Sequence, residues 1–141
     1  MKNMITALAI ITTSLVMGQK ENGNTSADRE LLFCNSRNTI SVYKYNSDST
    51  LKYVFYFKDV EQLDLLSYEY LNFENVKDLN QFIELAVYSM TDRKYLHFTL
   101  YGEDRYLYGT SKNTAVIYAD KSRGLLNKSD AEKIKSVIKK Y

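Results

Sequence analysis

His97 is the only histidine in the chain, and histidine is the side chain whose ordinary titration suits proton transfer near neutral pH. It lies in the run Tyr95-Leu96-His97-Phe98-Thr99-Leu100-Tyr101, where apolar and polar side chains alternate. Alternation of period two marks a strand with one face in a core and the other toward water. Leu96, Phe98 and Leu100 then point inward, and Tyr95, His97, Thr99 and Tyr101 outward. A histidine among hydroxyls has the chemistry of a general base, but no carboxylate to orient it is visible in the local sequence. The plainer reading is a sheet-surface histidine beside tyrosines.

Tyrosine is the compositional outlier, with thirteen copies and no tryptophan. In Thr39 to Tyr45, Ile40 and Val42 take one side and Tyr43 and Tyr45 the other. In Leu51 to Lys58, Leu51, Tyr53, Phe55 and Phe57 share a face opposite Lys52, Val54, Tyr56 and Lys58. Asn46-Ser47-Asp48-Ser49 between them is turn chemistry, so the two runs read as a hairpin. If the faces match, Tyr43, Tyr45, Tyr95 and Tyr101 gather around His97 on one sheet face. Interfaces favour tyrosine, which brings large area at low entropic cost. Tyrosine also simply suits strands, helped by cross-strand pairs. The expected site is this face as a binding surface, with no catalytic residue and no metal ligand assigned.

Other chemistry finds little support. The chain has no Gly-rich phosphate loop, no HExxH and no CxxC. One histidine excludes a multi-histidine zinc site within one chain. The acidic residues of Asp59-Val60-Glu61 and Gly102-Glu103-Asp104 fall in turns without EF-hand spacing. No cofactor is expected. Cys34 is the single cysteine; it reads as a small buried apolar residue or as half of an intermolecular disulfide. A formal net charge of +2 gives no strong pull toward nucleic acid.

The elements that must position these residues centre on 63–101, read as strand, helix, strand. Val76, Leu79, Phe82, Ile83, Ala86, Val87 and Met90 form an amphipathic helical stripe. Asn75 and Asp78 resemble a capping box at its start. The strand before it, Leu63 to Phe73, changes parity between Leu65 and Leu66, which predicts a bulge or break. Lys94 to Tyr101, Arg105 to Thr110 and Thr114 to Ala119 form an antiparallel meander, and Asp120 to Lys128 a loop. A last helix opens at Ser129, with Ser129 and Glu132 as its capping box. Ala131, Ile134, Val137 and Ile138 face inward, and Lys133, Lys135, Lys139 and Lys140 face water. The expected architecture is α+β in the order βββα-βββα: one antiparallel sheet of five or six strands with both helices on one face.

The N-terminus reads as a targeting signal. Lys2 gives a positive n-region, Met4 to Met17 an apolar h-region, and Val16 and Gly18 small residues before a cleavage point at Gln19. Residues 1–18 are the expected signal peptide, 19–36 a flexible leader and 37–141 a single domain. Leu31-Leu32-Phe33-Cys34 is a poor lipobox, because Phe33 is bulky and charged residues separate it from the h-region. The expected product is exported, periplasmic or secreted, with no integral membrane span after cleavage. It acts as a binding module on a protein, a glycan or a second copy of itself. The alternatives are an enzyme of unknown reaction using His97 with its tyrosines, or a structural accessory subunit of an envelope complex.

Overall fold

The structure, a computed structural model, describes residues 28–47, 50–61 and 67–141. The signal segment, the first half of the leader, and the parity change at Leu65 and Leu66 lie outside the described residues. Eight strands and two helices follow in the order ββββα-ββββα: β1 Arg29–Cys34, β2 Ile40–Ser47, β3 Thr50–Lys58, β4 Tyr68–Phe73, α1 Val76–Asp92, β5 Tyr95–Leu100, β6 Glu103–Ser111, β7 Thr114–Ala119, β8 Ser122–Asn127 and α2 Lys128–Ile138. They form two antiparallel four-stranded sheets, β1-β2-β3-β4 and β5-β6-β7-β8. The fold is therefore α+β and antiparallel as expected, but with two sheets in place of one.

Two strands account for the difference. Arg29–Cys34, placed by the sequence in a leader, pairs with β2 as an edge strand, with a register shift between Leu31 and Phe33. Ser122–Asn127, expected as a loop, pairs with β7. Its core-facing side is Ser122, Gly124 and Leu126, all buried. Only one of those three is a large apolar residue, so the alternation was hard to see.

One continuous core holds the two sheets and the two helices together. Phe82 in α1 is its joint. Its ring lies 5.2 Å from Phe55 and 5.4 Å from Phe73 in the first sheet, and 5.7 Å from Phe98 in the second. Two glycines mark the tightest approaches. A Cβ on Gly109 of β6 would sit 1.9 Å from the Ser89 carbonyl oxygen, so only glycine lets the last turn of α1 lie on the strand. A Cβ on Gly124 would sit 2.3 Å from the Phe57 ring, which packs against β8.

The helices start where their asparagines cap them. The Asn75 side-chain oxygen accepts from Asp78 N–H at 2.8 Å, and its amide donates to the Asp78 carboxylate at 3.0 Å. The same reciprocal arrangement joins Asn127 and Asp130, so α2 is capped by Asn127 and not by Ser129. Asp130 is buried and also accepts from the Asn35 amide at 3.0 Å. Asn35 in turn accepts from Thr39 and Ile40 N–H. The β1–β2 turn is thereby tied to the start of α2. Near the start of β8, buried Asp59 accepts from Arg123 N–H at 3.3 Å, and Val60 N–H donates to the Arg123 carbonyl at 2.8 Å. These bonds run from the end of β3 to β8 and lock one sheet to the other.

Candidate functional site

The register of the second sheet builds one continuous outer face. Tyr95 stands opposite Tyr108, Tyr108 opposite Val116, and Val116 opposite Leu125, a row crossing all four strands. The next row is His97, Tyr106, Tyr118 and Arg123, and beyond it Thr99 stands opposite Asp104. Directly opposed residues of an antiparallel pair share a face, so these side chains lie together. Tyr95 is 60% exposed, Leu125 47% and Tyr108 39%. The Tyr95 and Tyr106 rings stack at 5.4 Å with planes 24° apart, and His97 lies 5.1 Å from Tyr106.

The carboxylate that the local sequence did not reveal comes from the facing strand. His97 Nε2 lies 2.6 Å from Asp104 Oδ1. Both side chains are more than half exposed, so the pair stands on an open surface. Arg123, on the same face, is ion-paired with Glu61.

The five expected site residues are not brought together. Tyr95 and His97 are on the open face just described. Tyr101 is not; it leaves the strand in the tight turn into β6, at φ 53 with Gly102 at φ 77. Two successive positive φ values make the mirror-image turn that fits a two-residue hairpin. Tyr101 is half-buried, and its hydroxyl oxygen has no hydrogen-bond partner among the described residues. Burial raises its pKa, helped by the nearby carboxylates Glu74 and Asp78.

Tyr43 and Tyr45 belong to the first sheet. They sit on its side away from the main core, in a cluster with buried Val54 and Tyr56 and half-buried Tyr68 and Tyr70. Tyr43 meets Tyr56 edge-on at 5.7 Å, and the Tyr45 and Tyr56 hydroxyls lie 3.1 Å apart. The Arg29 guanidinium lies 5.1 Å from the Tyr43 ring centre. Burial raises the pKa of Tyr43, and Arg29 opposes that shift. This side of the first sheet is a second small packed cluster, unlike the open face of β5 to β8.

Sequence reasoning missed Tyr106, Tyr108, Tyr118, Asp104 and Leu125. The parity of Tyr106 and Tyr108 within Arg105 to Thr110 was available as a signal. Leu125 was lost with its strand. Cys34, expected buried, is exposed at the end of β1 and is a free thiol. Its Sγ donates to Asn38 Oδ1 at 3.1 Å, and partial desolvation raises its pKa, which disfavours the reactive thiolate.

A cleft of about 260 Å³ lies on the core side of β5, lined by Phe73, Phe82, Leu85, Phe98 and Leu100 together with Asp78 and Gln81. It is on the other side of the strand from His97. Among the described residues, no helix is long and apolar enough to cross a membrane, and no cluster of three or more His, Cys, Asp or Glu side chains is placed to hold a metal. Comparisons with protein-family models, with curated protein sequences and with solved structures each find no match.

Proposed function

We propose that the protein is a small exported binding module whose recognition surface is the open face of its second sheet. Tyr95, His97, Tyr106 and Tyr108 form the centre of that surface, and Leu125 its far side. The observation that carries this reading is the outward-facing row Tyr95, Tyr108, Val116, Leu125 across all four strands, exposed at Tyr95, Tyr108 and Leu125 and half-buried at Val116. An antiparallel sheet that leaves one face in water ordinarily covers it with polar side chains. A contiguous exposed apolar patch is the informative departure. Tyrosine rings supply contact area, and their hydroxyls supply directional bonds at a wet boundary. The partner is another protein, a surface glycan or a second copy of the chain. Export rests on the charged, apolar and small-residue pattern of residues 1–18.

The paired substitution Tyr95→Ser and Tyr108→Ser tests the surface. Circular dichroism and melting temperature should change little, because exposed substitutions of this kind fall within about 0.5 kcal/mol. Capture of partners from the producing cell's envelope, or retention on glycan arrays, should fall against wild type. Undiminished capture by the double variant would remove this face from consideration.

A second reading, catalysis at His97, has one observation in its favour: Asp104 is within hydrogen-bond reach of the imidazole. The pair is exposed, and the one cleft described above opens on the opposite side of β5. Nothing there would shield a reaction from water, which active sites ordinarily do.

A further inference from the structure

Two four-stranded sheets present four edges, and three of them are obstructed. β1 carries the irregularity between Leu31 and Phe33. β4 turns the half-buried Glu69 carboxylate toward the interior. β8 is held by Asp59 and Val60 through Arg123. Bulges, inward charges and covering segments are the usual means of preventing strand addition at an edge.

β5 has none of these devices. Its six residues, Tyr95–Leu100, pair with β6 in unbroken register and include no proline, lysine, arginine, aspartate or glutamate. The Lys94 carbonyl accepts from Gly109 N–H at 3.1 Å, so Lys94 addresses β6. Backbone groups of a strand alternate in direction. Leu96, Phe98 and Leu100 therefore address β6 as well, and Tyr95, His97 and Thr99 address the open edge. Their outward N–H and C=O groups make no hydrogen bond among the described residues. Beside them, the core side of β5 is incompletely covered: Leu96, Phe98 and Leu100 are only half-buried, and the apolar cleft opens there.

We propose that β5 pairs antiparallel with β5 of a second copy about a two-fold axis at His97, joining two four-stranded sheets into one of eight strands. This register matches outward residues only with outward residues. Tyr95 pairs with the partner's Thr99, His97 with the partner's His97, and Thr99 with the partner's Tyr95. Every free N–H and C=O of the edge is then used. Same-face parity is kept, so Leu96 lies beside the partner's Phe98, the two clefts meet, and the two tyrosine faces become one.

A second copy suits the edge better than a charged foreign strand. The edge carries no like-charge conflict with itself, since each His97 is held by its own Asp104. The formal net charge of +2 is too small to keep copies apart. The pairing uses backbone and cleft, not tyrosine rings, so it goes beyond the proposed recognition face and does not depend on it.

Sedimentation velocity of the purified protein, from low micromolar to near-millimolar concentration, reads the outcome together with amide exchange. The expected result is a mass that doubles with concentration while the Tyr95, His97 and Thr99 amides gain protection. Thr99→Pro removes one edge donor at a position where an edge strand accepts proline, and it should stay monomeric throughout. Tyr108→Ser should dimerise as wild type does, which separates this pairing from the recognition face. A wild type that stays monomeric at near-millimolar concentration overturns the proposal. So does a dimer whose three edge amides exchange as they do in the monomer, or a folded Thr99→Pro that dimerises normally. If Thr99→Pro does not fold, amide exchange on the wild type decides alone.

Discussion

Glu69 points from β4 toward the interior, opposite Phe57, and is half-buried. Desolvation raises its pKa above the ordinary carboxylate value of 4.5, with Asp120 and Asp59 adding to the shift and a Ser122 hydrogen bond and Arg105 opposing it. The sign follows from linkage. A carboxyl whose pKa is higher folded than unfolded binds its proton more tightly in the native state, so its contribution to stability falls as pH rises through the folded value. Glu69→Gln should therefore stabilise the protein at neutral pH, and the gain should shrink as pH falls into and below the ordinary glutamate range. Denaturant melts of both proteins at pH 7 and at acid pH check this; a gain that grows on acidification would refute it. No local pattern marks Glu69, because the groups that act on it, Ser122, Asp120, Asp59 and Arg105, all lie outside its own strand. Asp104 lies only seven residues from His97, across the β5–β6 hairpin; it was hidden because Glu103 and Asp104 read as turn residues, whereas they open β6. Tyr101 failed for a local reason: the turn takes it out of the alternation one residue earlier than the pattern implied.

At the scale of elements, α1 was the most legible part of the chain. Its stripe Leu79, Phe82, Ile83, Ala86 and Met90 is buried, and Asn75 caps it. Phe82→Ala should cost about 3–5 kcal/mol, the usual range for emptying a core aromatic site. The loss should be toward the upper end, since Phe82 touches rings from both sheets. Lys77→Ala, at an exposed position of the same helix, should be nearly silent. Urea denaturation of the two variants compares them directly, and a Phe82→Ala loss below about 1 kcal/mol would remove the ring from the joint. α2 was found with its cap displaced: Ser129-x-x-Glu132 fits the capping pattern, but Asn127 with Asp130 fits it too. Asn35 reaches Asp130 from the first sheet, a contact outside any local window. β8 was missed because serine and glycine occupy two of its three buried positions.

For the whole molecule, the first eighteen residues predict a processed, exported chain. Intact mass of protein recovered from outside the cytoplasm should begin at Gln19, and full-length protein retained in the cytoplasm would end that reading. The sheets carry different lessons. The tyrosines of β2 and those of β5 share a pattern, apolar on one side and aromatic on the other. Yet the first set packs around Val54 and Tyr56, and the second lies open. The recognition face we propose is therefore confined to β5 through β8.

Periodicity and turn chemistry were enough for the α+β class, the antiparallel pairing, both helices and the inward side of most strands. Each of these is set by neighbours a few residues apart. The division into two sheets, the addition of β1 and β8, and the separation of Tyr43 and Tyr45 from Tyr95 and His97 were not legible in that way. Alternation says which side chains share a face of one strand, but not which strands lie side by side. That was settled by contacts across long stretches of chain: Phe82 among three rings, Phe57 against Gly124, Asp59 on Arg123 and Asn35 on Asp130.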